Sequence, residues 1–575
     1  MKKKRKSEDE IGARIKLILL FFFLALTALA ARLFVLQIVN HRTYAKAAAG
    51  QHQTVQAADP ERGGIYAQDR NGALIPLALN KVYKNLIASP KLIADPDDAA
   101  GVVADFFGVD REMIRRKLGN PEDGYEILLK RVDTDRAEEF TKKNIAGLSF
   151  EEERRRIYPH GTRAAQAVGF VSKESNEEVG RYGIERFSDV DLKGERGVAE
   201  GTQNSGGFLV ALGRRILHPQ KNGSDVVLTI DDNVEMKSEE VLRAAKEKWS
   251  ADSGGVLVLE PATGRILAMA GDPSFDPNDF GKEKDLSVFL NPLTQSVYEL
   301  GSVLKPLTMA GALDANIITP ASTYTDTGEV KIGGYRIKNF DGNAYGLQTM
   351  TQVLEKSLNT GMVHIARMMG HDQQKDILER FGLGTPAGVD TPGEVAGNIA
   401  NLNAGRDIDF ATAAFGQGIS VTPMQLAAAV GVIANGGKLM RPYVIDRIID
   451  DAGNETKKTP VVIREVIRKE TAETLTKMLV SVVHNGFENH AGVKGYFVAG
   501  KTGTAQIPNP ASRGYSDKVT HTFVGYAPAF HPKFLVLLQL NNPKGNRFAA
   551  NTLTPAFHDL AEYMLNYYEI PPDEK

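Results

Sequence analysis

The sequence predicts an α+β multidomain chain in three parts: an N-terminal transmembrane helix, an elongated, loop-rich pedestal, and a larger domain whose central sheet is covered by helices. Three observations predict it. An uncharged stretch, Leu17 to Ala31, stands behind a basic tail. The 575 residues exceed what one hydrophobic core holds. Strand patterns stand at both ends of the second outer region with helical patterns between them, as in a sheet closed by its N- and C-terminal pieces.

The tail and anchor come first. Met1 to Lys16 holds seven Lys or Arg against Glu8, Asp9 and Glu10, a net of +4 in a chain whose total is -2. The run Lys2 to Lys6 alone suits a nucleic-acid patch, but the near-neutral chain and the apolar sequence that follows argue against a nucleic-acid partner. Leu17 to Ala31 has Thr27 as its only polar residue. As a helix it spans about 22 Å, short of a hydrocarbon core of about 30 Å. Continuing to Val39 supplies the length, with Arg32 snorkelling to the headgroups. The basic flank puts the N-terminus in the cytoplasm and the rest outside, a single-pass protein of the cell membrane. Ala28-Leu29-Ala30 resembles a signal-peptide cleavage site, but the apolar stretch runs past it, which favours an uncleaved anchor.

The outer chain has the composition of an ordinary globular protein, 42% hydrophobic and 24% charged. It has no cysteine. That removes disulfides, thiolate metal sites and a cysteine nucleophile. The pedestal, 40–250, mixes short strands with helical runs at Asp98–Phe107, Glu112–Leu118 and Arg136–Lys143, and reads as turn-rich at Ser205–Gly213 and Pro219–Ser224. Val226–Ile230 reads as a strand, and Val234–Trp249 as a helix leading into the domain 251–575. There Val256–Leu259 and Ile266–Ala270 form a hairpin around Ala262-Thr263-Gly264. Helices follow at Leu304–Leu313, Val353–Met369, Pro423–Ala434 and Thr471–Val483. Strands return at Tyr496–Val498, Thr522–Tyr526 and Phe534–Leu540, before a last helix at Pro555–Tyr567. The tail and anchor are 1–16 and 17–39.

Chemistry concentrates in three short elements of the last domain: Ser302-Val303-Leu304-Lys305, Ser357-Leu358-Asn359 and Lys501-Thr502-Gly503-Thr504. Each has an ordinary account, a surface Ser/Lys pair or a β-turn. All three in order, each occurring once, form the signature of serine β-lactamases and penicillin-binding proteins. A serine hydroxyl needs an adjacent base, and Lys305, three residues on, shares its helix face. A lysine serves as base only when burial or another cation lowers its pKa. Leu304 and Leu307 supply apolar surroundings, and Lys501 the second charge. Pro306 belongs near a helix start, which puts Ser302 at the N-terminus, where the dipole favours negative charge. Lys501–Thr504 is expected to follow the strand Tyr496–Val498. Gly503 then admits a substrate backbone closely, Thr502 and Thr504 bind a carboxylate, and the N–H groups of Ser302 and Thr504 form an oxyanion hole.

Competing chemistry fares worse. Gly495 to Thr502 matches G-x-x-x-x-G-K-[ST], but its variable residues read as strand, and Gly503, Pro508 and Pro510 forbid the helix a phosphate loop must open. The histidines are dispersed, so no metal site and no cofactor is expected. His521 reads as a strand residue near the site rather than a base.

With these elements in place, the chain resembles a class B penicillin-binding protein over nearly all of its length beyond the anchor. Arg62-Gly63-Gly64-Ile65, Asp69-Arg70-Asn71-Gly72 and Leu77-Ala78 resemble the family's opening motif. Arg156-Ile157-Tyr158-Pro159, Gly169-Phe170 and Tyr182-Gly183-Ile184-Glu185 resemble its later pedestal motifs. Asp272 to Asn278 and Phe415-Gly416-Gln417-Gly418 resemble transpeptidase segments. The likeness is greater to the division and sporulation branch than to the elongation branch. It implies a dimerisation-like pedestal and a transpeptidase domain with a central antiparallel sheet. It also implies a peptidoglycan D,D-transpeptidase: Ser302 attacks the D-alanyl-D-alanine bond of a stem peptide, Lys305 is the base, and Ser357 relays a proton to the leaving amine with Lys501. Asn359 holds the donor amide, and Thr502 and Thr504 its carboxylate. The implied ligands are stem peptides, lipid-linked precursors and β-lactams, and the implied partners a SEDS-type glycan polymerase and division proteins. Leu300 departs from the family, which usually has proline before the Gly-Ser. No glycosyltransferase motif is visible, which disfavours the bifunctional class. The same trio would also serve a D,D-carboxypeptidase, a β-lactamase or a β-lactam sensor, and a non-enzymatic division scaffold is the reading of a different class.

Overall fold

The computed structural model describes residues 2–42, 53–58, 60–174, 177–203, 209–487, 490–509 and 514–573. The chain divides into two bodies, 1–61 with 194–222, and 62–193 with 223–575. In the first, a helix runs Lys2–Phe34 and closes in a π-helical turn, Val35–Val39. Its apolar part, Gly12–Val39, is 28 residues with nothing packed over it, and at 1.5 Å per residue reaches about 42 Å. Thr27 donates its hydroxyl to the Phe23 carbonyl at 2.7 Å, so the one polar side chain of the core stretch is satisfied inside the helix, as a bilayer requires. Strands Gln53–Ala58, Gly197–Gln203 and Leu209–His218 form an antiparallel sheet in the same body. Leu209–Gly213, expected as turn, is therefore strand; the rest of that expected turn, 205–208, lies outside the described residues.

The second body holds two large sheets. One has seven strands, in the order Glu455–Lys457, Ile445–Ile449, Asp225–Asp231, Ile65–Gln68 and Leu74–Ala88, with Glu126–Val132 and Leu148–Ile157 both pairing the long Leu74–Ala88. Asp225–Asp231 and Ile65–Gln68 run parallel. Helices Pro96–Phe107, Arg111–Lys117 and Thr134–Thr141 lie within two residues of the expected ones. The pedestal motifs converge on one buried cluster. Glu185 accepts from Arg62 Nε at 2.8 Å and from Arg156 Nε at 2.7 Å, and Arg156 also donates to the Gly63 carbonyl at 2.8 Å. The Asn278 amide pairs with the backbone of Tyr158, accepting its N–H at 3.0 Å and donating to its carbonyl at 2.9 Å.

The other sheet has five strands, all antiparallel, in the order Ile266–Asp272, Ser253–Leu259, Phe534–Asn541, Tyr515–Ala527 and Ala499–Pro508. Ile266–Asp272, Ser253–Leu259 and Phe534–Asn541 are buried on both faces and read as near-continuous apolar runs. Val256 and Val258 face one core with Phe523, Leu538 and helices Asp232–Trp249 and Ala549–Tyr567. Leu257 and Leu259 face the other, with Val524, Leu537 and helices Lys305–Asp314, Pro423–Ala434 and Lys469–Asn485. The period-2 alternation of strand side chains assigns each residue to its face.

Three further expectations need correction. The single helix Val353–Met369 is two, Met350–Glu355 and Asn359–Met369, broken where Ser357 takes a φ of +54°. Tyr496–Val498 lies ahead of the strand rather than in it, so Lys501–Thr504 sits within Ala499–Pro508. The last helix begins at Ala549, with Pro555 inside it, because Asn546 accepts the Phe548 N–H at 2.9 Å and holds the chain at an earlier start.

Candidate active site

The three sequence elements meet at one cavity of about 600 Å³, lined by Ser302, Ser357, Asn359, Lys501, Thr502 and Thr504. Each arrives on a different element. Ser302 is in a 3-10 turn, Gly301–Leu304, that leads into helix Lys305–Asp314 with Pro306 in its first turn. In a 3-10 turn residues three apart eclipse, so Ser302 and Lys305 share a side. Ser357 occupies the break between two helices, and Asn359 opens the second. Lys501, Thr502 and Thr504 come from the edge strand, whose single neighbour in the sheet among the described residues is Tyr515–Ala527.

Lys305 lies behind the cavity wall with no exposed surface. Its Nζ is 2.5 Å from the Ser357 carbonyl, 2.8 Å from Asn359 Oδ1 and 3.2 Å from Ser357 Oγ. Burial, with the Lys501 charge beside it, holds this amine well below the ordinary lysine range. A neutral amine has two N–H bonds and one lone pair. The carbonyl and the amide oxygen take the N–H bonds, which leaves the lone pair for a hydroxyl, and the one beside it here is Ser357 Oγ. Lys501 is 2% exposed and donates to the Thr502 carbonyl at 3.1 Å. Burial pushes its amine down to about 7.

Asn359 is held at both ends of its amide. Oδ1 accepts from Lys305, and Nδ2 donates to the Lys338 carbonyl at 2.9 Å. The second Nδ2 hydrogen is left for the cavity. Thr504 Oγ1 accepts the Ala549 N–H at 3.1 Å, so its own proton is free to be donated. The Ser302 N–H belongs to the first helical turn, where backbone donors have no intrahelical partner.

Gly503 lets the Ser302 turn pack closely on the strand. It does not line the cavity. A Cβ there would stand 2.4 Å from the Leu300 carbonyl and 3.0 Å from Val303 Cγ1, so the close approach it permits is that of the Ser302 turn onto the strand. Gly416 serves the same turn from the other side: a Cβ would meet the Gly301 carbonyl at 2.1 Å, and its own carbonyl accepts the Gly301 N–H at 3.1 Å. Leu300, the departure from the family pattern, is fully buried under this turn.

His521 pairs with Thr504 across the sheet. Its ring nitrogens meet Thr552 Oγ1 at 2.9 Å and the Arg547 carbonyl at 3.2 Å. Burial lowers it to about 4, so it is a neutral structural residue, as the sequence suggests. Gly500–Thr502 lie inside a strand and no helix follows, which removes the phosphate-loop reading. Among the described residues no cluster suited to a metal is present. Sequence reasoning missed Lys338, Phe340, Arg547 and Phe548, which also line the cavity. They stand on loops and strand ends with no motif spacing to mark them.

Comparison with known proteins agrees with this geometry. Residues 254–562 match the penicillin binding protein transpeptidase domain, and 57–228 the penicillin-binding protein dimerisation domain. The chain is 30% identical to stage V sporulation protein D of Bacillus subtilis, over 96% of this chain and 85% of that protein. It is 29% identical to peptidoglycan D,D-transpeptidase FtsI of Escherichia coli, over 100% and 95%. Penicillin binding protein 3 of Mycobacterium tuberculosis, solved in complex with aztreonam, superposes with a TM-score of 0.70 at 27% identity, covering 90% of this chain and 98% of that one. The chain belongs to the class B penicillin-binding proteins.

Proposed function

We propose that Ser302 is the nucleophile of a peptidoglycan D,D-transpeptidase that cross-links stem peptides during division-associated cell-wall synthesis and is acylated by β-lactams. The observation that carries the reading is the buried Lys305 amine, whose two N–H bonds are taken by the Ser357 carbonyl and Asn359 Oδ1. Ser302 Oγ attacks the carbonyl of the D-alanyl-D-alanine bond and its proton passes to Lys305 Nζ. The N–H groups of Ser302 and Thr504 receive the oxyanion. The C–N bond breaks, Ser357 passes its proton to the departing D-alanine amine and takes the proton held on Lys305 Nζ, 3.2 Å away, and Lys501 supports that transfer. An acceptor amine then attacks the ester, returns a proton to the site and restores the Ser302 hydroxyl, leaving the cross-link. Asn359 holds the donor amide through its free Nδ2 hydrogen, while Thr502 and Thr504 hold its terminal carboxylate, Thr504 by donating its O–H.

The domain reading follows: 1–16 a cytoplasmic tail, 17–39 a single membrane span, 40–250 the pedestal and 251–575 the transpeptidase. The basic tail supports a cytoplasmic N-terminus and an extracytoplasmic catalytic domain. A SEDS-type glycan polymerase and division proteins are the partners this arrangement suits, met through anchor and pedestal. The test is incubation with fluorescent penicillin. Stable labelling of the wild type that disappears in Ser302→Ala is expected; an unlabelled wild type overturns the reading, and label that turns over quickly makes the protein a hydrolase.

A further inference from the structure

Asp326 is a buried carboxylate that the proposed chemistry does not use. It is 2% exposed, and among the described residues no Lys or Arg ion-pairs with it. Every group around it donates. Asp326 Oδ1 accepts from Thr360 Oγ1 at 2.6 Å and from the Gly328 N–H at 3.2 Å, and Oδ2 from the Tyr345 N–H at 2.9 Å. Asn339 Nδ2 donates to both oxygens, at 3.1 and 3.0 Å. Burial pushes this carboxyl up, and those hydrogen bonds outweigh burial and hold it below the ordinary carboxylate range. An acceptor-only group suits the pocket; a neutral amide would turn an N–H toward donors.

Two of the donors have a particular place in the chain. Thr360 follows Asn359, and Asn339 follows Lys338, whose carbonyl holds the Asn359 amide. The Thr360 N–H also donates to Asn339 Oδ1, at 3.3 Å. One carboxylate therefore ties together the two segments between which the Asn359 amide is gripped. We propose that Asp326, acting through Thr360 and Asn339, is a positioning residue that orients the Asn359 amide between Lys305 and the donor peptide. The role rests on the proposed function. A buried carboxylate without a cation is costly to keep, and here it specifies the direction of one side-chain amide.

The alternative is that Asp326 only folds the hairpins of residues 323–349. The two differ in a double-mutant cycle on the full-length protein, read as the second-order constant for acylation by fluorescent penicillin. Asp326→Asn should lower that constant roughly 30-fold and Thr360→Val about fivefold, yet each by less than about twofold in an Asn359→Ala background, since coupled residues are non-additive. Losses of the same size in both backgrounds overturn the positioning role. If Asp326→Asn does not fold, the Thr360→Val arm of the cycle decides by the same criterion. A wild type that is not labelled removes the proposed function and this role together, whereas a labelled wild type with an additive cycle removes this role alone.

Discussion

Two buried charge clusters in this molecule are built on opposite plans. Around Glu185, opposite charges meet: Arg62 and Arg156 share its carboxylate, and Arg62 also lies 2.8 Å from Asp189. Burial lowers the Arg62 guanidinium, and the two carboxylates outweigh burial and raise it above its ordinary value. Behind Ser302, like charges meet: Lys305 and Lys501 are both buried and pair with no carboxylate among the described residues, and both amines are lowered. The paired cluster keeps its ions and joins the pedestal motifs. The unpaired one sheds a proton and yields a base. Burial is common to both, and the counter-ion decides between framework and chemistry.

The comparison breaks most visibly at Lys305. Lys305→Met should cut the acylation rate by about 10³-fold, within the range for loss of a general base. It should cost about 1–3 kcal/mol of stability, because the apolar side chain keeps the packing while the Ser357 carbonyl and Asn359 Oδ1 lose their donor. A large fall in melting temperature would place Lys305 with the framework instead. Glu185→Ala should do the reverse. It leaves two guanidinium groups buried without their shared partner and should cost about 3–5 kcal/mol, seen in chemical denaturation, while the fraction that remains folded acylates at the wild-type rate. The smallest effect on stability belongs to Ser357, a non-glycine residue at φ +54°. Ser357→Gly should gain about 1 kcal/mol of stability by relieving the left-handed backbone, and should lose acylation with the hydroxyl.

Much of this was legible in the sequence because local chemistry decides it. Pro423–Ala434 was read to the residue, since Thr422 caps it and Pro423 fits its first turn. The order Ser302, Lys305, Ser357, Asn359, Lys501 carried the site, because a base three residues from a nucleophile is a local geometry. What escaped was set by contacts distant in sequence. The helix break at Ser357 is held by Lys305, 52 residues away, which bonds the Ser357 carbonyl. Gly503 packs against the Leu300 carbonyl, a contact distant in sequence. Asp326, Asn339, Tyr345 and Thr360 share no spacing that marks them as one network. The seven-stranded sheet draws on residues as far apart as Ile65 and Lys457, and no periodicity announces such a pairing.

The central claim is that Lys305 is neutral when Ser302 needs a base, and the pH dependence of wild-type acylation tests it most directly. A lysine whose pKa is lowered is available as base above that lowered value, so the rate should fall only as pH drops through it, well below the ordinary lysine range. Lys501, lowered to about 7, loses its charge as pH rises, which should bring the rate down again on the alkaline side. The account predicts an acid-side fall as Lys305 is protonated, at a pH well below the ordinary lysine range, and an alkaline-side fall as Lys501 loses its charge. A rate that climbs about tenfold per pH unit through neutrality and on toward pH 10, as an ordinary lysine base would give, contradicts it.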